Sequence, residues 1–174
     1  MTLNTAMLTS NKKDWCTPEN ILNLVRQLGT IVLDPCSNKN SIVSATIELM
    51  QPKHDGLACS WNALQVAGSV RRPIVYVNPP YGKGVIEQWI DKICYEAMAW
   101  LSIVALLPAR PDTKWFNKLW ASSKLTSICF WKGRIKFIGA DSGAPFPSVI
   151  AAININKQRF EEVFRNYGIV IHKP

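Results

Sequence analysis

Apolar positions along the chain recur at two spacings, and the switches between them outline the fold. Ile21, Leu22, Val25 and Leu28 fall on one helical stripe, with Thr17 as the expected N-cap, Pro18 at the first helical position, Glu19 in the first turn and Gly29 as the stop. A short apolar run at 31–33 follows at once and halts at Asp34-Pro35, which reads as a buried strand, and a weaker strand is expected near 41–46. The β-branched run at 74–77 leads straight into Asn78-Pro79-Pro80. Val85, Ile86, Trp89, Ile90, Ile93 and Ala97 predict a helix over 84–99, and the next apolar run predicts a buried strand at 103–107.

Further on, the pattern predicts a helix at about 112–121 striped by Trp115, Phe116, Leu119 and Trp120. A strand at about 126–131, a Gly- and Pro-rich loop at 139–147 and a strand at 148–155 follow. Asn156 is placed to cap a last helix striped by Phe160, Val163, Phe164 and Tyr167 and ended by Gly168. Alternation of strand and helix predicts an α/β chain with an open, mainly parallel sheet, helices on both faces and an antiparallel strand near the C-terminus. In such sheets ligands sit beyond the carboxyl ends of the strands, so Asp34 and Asn78, each directly after a strand, are expected on one rim. Residues 1–13 read as a loose polar arm and 14–174 as a single domain.

Composition narrows the partners. The 174 residues are 48% hydrophobic and 18% charged, ordinary for a globular domain, but the net charge is +8, with 20 basic against 12 acidic residues. Such an excess suits a polyanion, because neutralising phosphates releases counterions, although it also serves solubility. Between Thr113 and Ala140 lie Lys114, Lys118, Lys124, Lys132, Arg134 and Lys136 and no acid, interleaved with aromatics, so this side is expected to face DNA. The odd set Cys16, Cys36, Cys59, Cys94 and Cys129 holds no Cys-x-x-Cys pair, and only His54 and His172 stand by to assist, which argues for reduced thiols and against a metal site. No stretch approaches the ~20 apolar residues of a membrane span or forms a signal peptide, so a cytoplasmic protein is expected.

The richest chemistry lies in Asn78-Pro79-Pro80-Tyr81. An exocyclic amino group on a planar base shares its lone pair with the ring and attacks poorly until acceptors grip its protons. The Asn78 side-chain oxygen can take one N–H and the Pro79 carbonyl the other, with tandem prolines fixing that carbonyl. Such acceptors meet the charge that develops on methylation. Hydrogen bonds to charged groups are worth roughly 1.5–3 kcal/mol, and ~1.4 kcal/mol is tenfold in rate, so two supply on the order of a hundredfold. Tyr81 offers a face for the base. A plain proline turn closing a buried strand accounts for the same four residues.

Several short motifs occur in a fixed order from about Asp14 to about Ala152. They are Trp15-Cys16-Thr17-Pro18, Leu33-Asp34-Pro35-Cys36, Asp55-Gly56-Leu57 followed by Trp61, Asn78-Pro79-Pro80-Tyr81-Gly82, Leu107-Pro108-Ala109-Arg110 with Asp112-Thr113 and Trp115-Phe116, Gly133-Arg134-Ile135-Lys136-Phe137 and Pro145-Phe146-Pro147-Ser148. In this set and order the chain resembles the phage-type DNA N6-adenine methyltransferases, S-adenosylmethionine-dependent enzymes with a Rossmann-like methyltransferase fold. The resemblance implies methyl transfer to a flipped adenine in a pocket lined by Asn78, Pro79, Pro80 and Tyr81. Asparagine in the first place favours adenine N6 over cytosine N4, where serine is commoner among relatives.

The resemblance also places the cofactor. It puts the methionine end at Asp34 and Pro35, with Trp15, Thr17 and Pro18 close by and Asn78 adjoining, and the cofactor's adenine amino group at Asp55, flanked by Gly56 and Leu57. The resemblance fixes no residue for the ribose hydroxyls, for which Glu48 is a candidate by position alone. As turn residues, Asp34 and Asp55 have a duller reading, and Lys83, Arg110 and Arg134 are either phosphate contacts or surface cations, caps and ion pairs. One departure stands out: Asp34-Pro35-Cys36-Ser37-Asn38 follows the first strand with no glycine before Gly56, where most methyltransferases have a glycine-rich loop. Two alternatives remain at this stage: an inert DNA- or cofactor-binding protein of the same fold, and a protein glutamine-N5 methyltransferase, whose flat amide poses the same chemical problem. A monomer or homodimer is expected.

Overall fold

The computed structural model describes residues 15–61, 70–99 and 101–174; the expected arm at 1–13 lies outside them. Strands β1 (Thr30–Asp34), β2 (Ile47–Glu48), β3 (Pro73–Val77), β4 (Ile103–Pro108), β5 (Leu125–Trp131), β6 (Ser148–Ile153) and β7 (Gly168–His172) form one sheet in the order β2-β1-β3-β4-β6-β5-β7. The pairings around β1, β3 and β4 are parallel, whereas β6 runs antiparallel to both β4 and β5, and β7 antiparallel to β5. The chain is thus mixed α/β, parallel in the centre, with an antiparallel C-terminal edge.

Alternation along the buried strands sends side chains to two cores. Ile31, Ile74, Tyr76, Val104, Leu106, Ile150 and Ala152 meet α1 (Glu19–Leu28) and α4 (Lys157–Phe164) on one face. Leu33, Val75, Val77, Ala105, Leu107 and Val149 meet α2 (Val85–Ala97) and α3 (Lys114–Ala121) on the other. Helices therefore cover both faces.

Four details differ from the sequence reading. Helix α1 starts at Glu19 with Pro18 at the N-cap; Thr17 does not cap it, because its hydroxyl turns inward to the Tyr76 hydroxyl, 2.8 Å away. The weak strand expected near 41–46 is displaced to the two residues of β2, where Ile47 and Glu48 align with Leu33 and Asp34. Trp120 is 37% exposed while Trp115, Phe116 and Leu119 are buried, since one further residue along a short helix carries the ring past the edge of the buried stripe. Helix α4 ends at Phe164, and the residues after Tyr167 form β7, a second antiparallel strand where one was expected. Gly168 sits so close to β5 that a Cβ there would meet the Phe130 carbonyl oxygen at 2.1 Å, and the apolar run after it pairs rather than loops.

Asn156 does cap α4, accepting the Arg159 amide at 2.9 Å. Phe160 and Phe164 from that helix are fully buried with ring centroids 4.6 Å apart. Phe160→Ala is expected to cost about 3–5 kcal/mol, seen as a fall in the denaturant midpoint with an unchanged slope.

Candidate active site at the carboxyl rim of the sheet

Strands β1, β3, β4 and β5 run in one direction, so Asp34, Asn78, the 109–113 turn and Lys132 all emerge at the same rim. The segment before α1 crosses this rim. Cys16 makes an isolated antiparallel bridge to Ile138, whose amide donates to the Cys16 carbonyl at 2.9 Å. That tie lays Trp15 beside the end of β3.

Asn78 is held from two sides. Its side-chain amide donates to the Trp15 carbonyl, and its Oδ1 accepts from the Tyr81 hydroxyl at 2.6 Å. The same hydroxyl faces the Leu106 carbonyl at 3.1 Å. These partners orient the carboxamide, oxygen toward the tyrosine and nitrogen toward the tryptophan backbone. Burial pushes the Tyr81 phenol well above its ordinary pKa, so it stays a donor. Pro79 is buried and Pro80 exposed. Beneath the turn, Tyr81 packs edge-on to Phe146 at 5.3 Å and Phe137 at 6.4 Å, and Trp15 meets the same two rings at 5.8 and 5.1 Å. The four rings join three segments that are remote in sequence.

Asp34 ends β1 and is only 4% exposed. Its Oδ1 accepts the Cys36 amide at 3.0 Å, a local turn bond. Desolvation, opposed by that bond and reinforced by Glu48, raises its pKa to about 6. Among the described residues no cation pairs with it. Next to it the Cys36 thiol, hydrogen-bonded to the Asn78 main chain, is driven upward by burial and then by Asp34, and remains protonated. The Tyr76 phenol, also raised mainly by burial, feels both groups. Thr17 is buried against that phenol, while Pro35 is buried beside Asp34.

The 55–57 turn is pressed onto this loop. A Cβ on Gly56 would lie 1.9 Å from the Pro35 carbonyl oxygen, so only glycine permits the contact. Asp55 accepts the Leu57 amide at 2.9 Å, and the buried Trp61 indole donates to the Gly56 carbonyl at 2.9 Å. Glu48, beside Asp34 across the sheet, accepts from Ser37 and from the Ala45 amide, each at 3.2 Å, and closes the intervening loop.

The basic residues form the outer wall. From 132 to 137 the chain alternates, with Lys132, Arg134 and Lys136 exposed and Ile135 and Phe137 buried, although no regular strand is present. Lys83 is exposed and Arg110 half-buried; no ion pair among the described residues engages these five cations. The Arg110 carbonyl accepts from the Thr113 hydroxyl at 2.7 Å, and Thr113 in turn caps α3. A groove of about 470 Å³ lies at the opposite end of the strands, lined by Arg72, Ile74, Asn154 and Arg159, away from all these groups. Among the described residues no cluster of His, Cys, Asp or Glu is arranged to hold a metal, and no helix is long and apolar enough to cross a membrane.

Sequence reading thus named most of the segments that meet here but missed the Trp15 carbonyl, Tyr76, Cys36 and Phe146 as parts of the site. Phe146 between two prolines was a usable signal; a main-chain carbonyl has none. The assembled rim agrees with a comparison at the family level. A model of the DNA N-6-adenine-methyltransferase (Dam) family matches residues 4–159, and the chain belongs to that family. Compared with curated proteins one by one, it matches none.

The raised pKa of Asp34 makes stability a reporter of this group. Its folded form holds a proton more tightly than the unfolded chain, so this group's contribution falls as pH rises from about 4 to about 6. On the order of 3 kcal/mol is lost over that window. Asp34→Asn is expected to remove this pH dependence and to make the ligand-free protein more stable than the parent at pH 7, measured by urea unfolding across pH.

Proposed function

We propose that this chain transfers a methyl group from S-adenosylmethionine to N6 of an adenine turned out of the DNA stack, and that its fold is of the Rossmann-like methyltransferase type. The observation that carries the proposal is the clamped Asn78 carboxamide, whose oxygen stands at the carboxyl end of β3 beside a buried carboxylate without a cation. When bound, the cofactor supplies an electrophilic methyl group on a sulfonium.

A buried, unpaired Asp34 carboxylate is a fitting partner for the cofactor's ammonium group, and Asp55, fixed to the Asp34–Pro35 loop through Gly56, for its adenine amine. Trp15, Thr17, Pro18 and Leu57 frame the same space. Asn78 Oδ1 keeps a second lone pair beyond its bond to Tyr81 and takes one N6 proton; the Pro79 carbonyl takes the other. Both acceptors strengthen as positive charge grows on nitrogen, which is where stabilisation accelerates the step. Methyl transfer would make the N–C bond at the expense of the donor's S–C bond, and the proton held at Asn78 Oδ1 or the Pro79 carbonyl would then leave to water. Pro80 fixes the turn, and Tyr81 serves by holding Oδ1 and by its ring. Lys83, Arg110, Lys132, Arg134 and Lys136 contact DNA phosphates, a role that glutamine-N5 methylation of a protein would not require.

Incubating the protein with methyl-labelled cofactor and adenine-rich duplex should place label in N6-methyladenine; label elsewhere, or binding without label, would sink the reading. Asn78→Ala is expected to leave cofactor binding nearly intact and to cut turnover at least tenfold in single-turnover assays. Asp34→Ala should weaken the cofactor and not the DNA, by calorimetric titration. Because Asp34 must be ionised to hold an ammonium, parent affinity for the cofactor should fall as pH drops below about 6, and Asp34→Asn should abolish that dependence.

A further inference from the structure

Trp131 ends β5 at the active-site rim, and its ring stacks on Tyr167 with centroids 5.6 Å apart and planes 14° from parallel. Tyr167 is 41% exposed, and with one face against Trp131 its open area lies on the outer face and edge. An exposed ring is ordinarily free to move, yet the backbone here is tethered three times. The Lys132 amide donates to the Tyr167 carbonyl at 2.8 Å, the Tyr167 amide donates to Phe164 at 2.9 Å, and Gly168 lies too close to the Phe130 carbonyl for any side chain.

The charge around this pair is positive. Lys132 adjoins Trp131, Arg165 precedes Tyr167 by two residues, and Arg134 continues the exposed row. The acids of α4 are engaged elsewhere, Glu161 with His172 at 3.0 Å and Glu162 at the groove on the other end of the strands. Asp141 is the exposed acid in the neighbouring loop. A preorganised, half-open aromatic stack bordered by cations is what a nucleic-acid strand requires, because any base can lie on a ring face while its phosphates meet the cations.

We infer that Trp131 and Tyr167 form a stacking platform for a base flanking the target adenine on the same DNA strand. This deepens the DNA reading and rests on it. Three strand spacings separate the ends of β3 and β5, roughly 14 Å, which is about four nucleotides at ~3.4 Å per stacked step and about two when the strand is extended. The platform acts on DNA affinity and touches neither the cofactor nor the reacting nitrogen.

The test uses the full chain and single-stranded oligonucleotides with one adenine, with the base removed from one flanking position at a time. Parent protein should lose about tenfold in affinity when one particular base, about two to four nucleotides from the adenine, is missing. Tyr167→Ala should bind the intact oligonucleotide about tenfold more weakly and become indifferent to that base, with cofactor affinity and turnover at saturating oligonucleotide unchanged, while its melting temperature falls by the loss of the ring stack. Tyr167→Phe, which keeps the ring, should behave as the parent. If the parent methylates DNA and Tyr167→Ala binds the intact strand equally well or retains the base dependence, the platform is refuted while the methyltransferase reading stands. A parent that neither binds nor methylates any oligonucleotide would overturn both.

Discussion

The carboxamide of Asn78 is gripped by a main-chain carbonyl at its nitrogen and a phenol at its oxygen, and the rest of the rim is arranged around that grip. Left free, an asparagine side chain samples several rotamers and can present either end to a ligand. With Trp15 and Tyr81 in place, one orientation satisfies all three groups. Holding those two partners requires the four-ring cluster, the Cys16–Ile138 tie and the close packing of Phe137 and Phe146. The chemistry of one amide therefore depends on contacts spanning most of the chain.

A second constraint runs through Asp34. Its carboxyl group is withdrawn from water with no cation among the described residues, a cost that a bound ammonium would relieve. Glycine at 56 lets the next segment press against the same loop, so the absence of a glycine-rich stretch after β1 is met from the other side of the contact. Close approach of backbone is achieved by the 55–57 turn and not by the loop that follows the first strand.

Much of this architecture was legible before any coordinates. Helix α2 carries a long helical stripe and strand β4 an unbroken apolar run, and Asn156 and Gly168 mark real boundaries, although Gly168 opens a strand as well as following a helix. Strand β2 was misplaced because two residues carry no period, and Thr17 was misread because its cap-like position conceals an inward bond to a residue 59 positions away. The shared rim of Asn78 and Asp34 followed from the ends of their strands, whereas the alternation of Lys132, Arg134 and Lys136 against Ile135 and Phe137 occurs in an irregular segment that no secondary-structure rule flags. Trp131 was one of the aromatics interleaved with the basic run and was given no partner; Tyr167 was assigned to a helical stripe, so their pairing was invisible.

Strand β6 lies between β4 and β5 although β5 precedes it in the chain. On a ribosome, synthesis must therefore pass residue 153 before either neighbour can find its partner, leaving β4 with an open hydrogen-bonding edge and β5 with none of its final contacts in the sheet. Strand β6, fully buried, is what joins β5 to β4, and β7 then adds to the outer edge of β5. Pairing on that side of the sheet therefore has to wait for a segment far along the chain, and until then its strands present unpaired backbone.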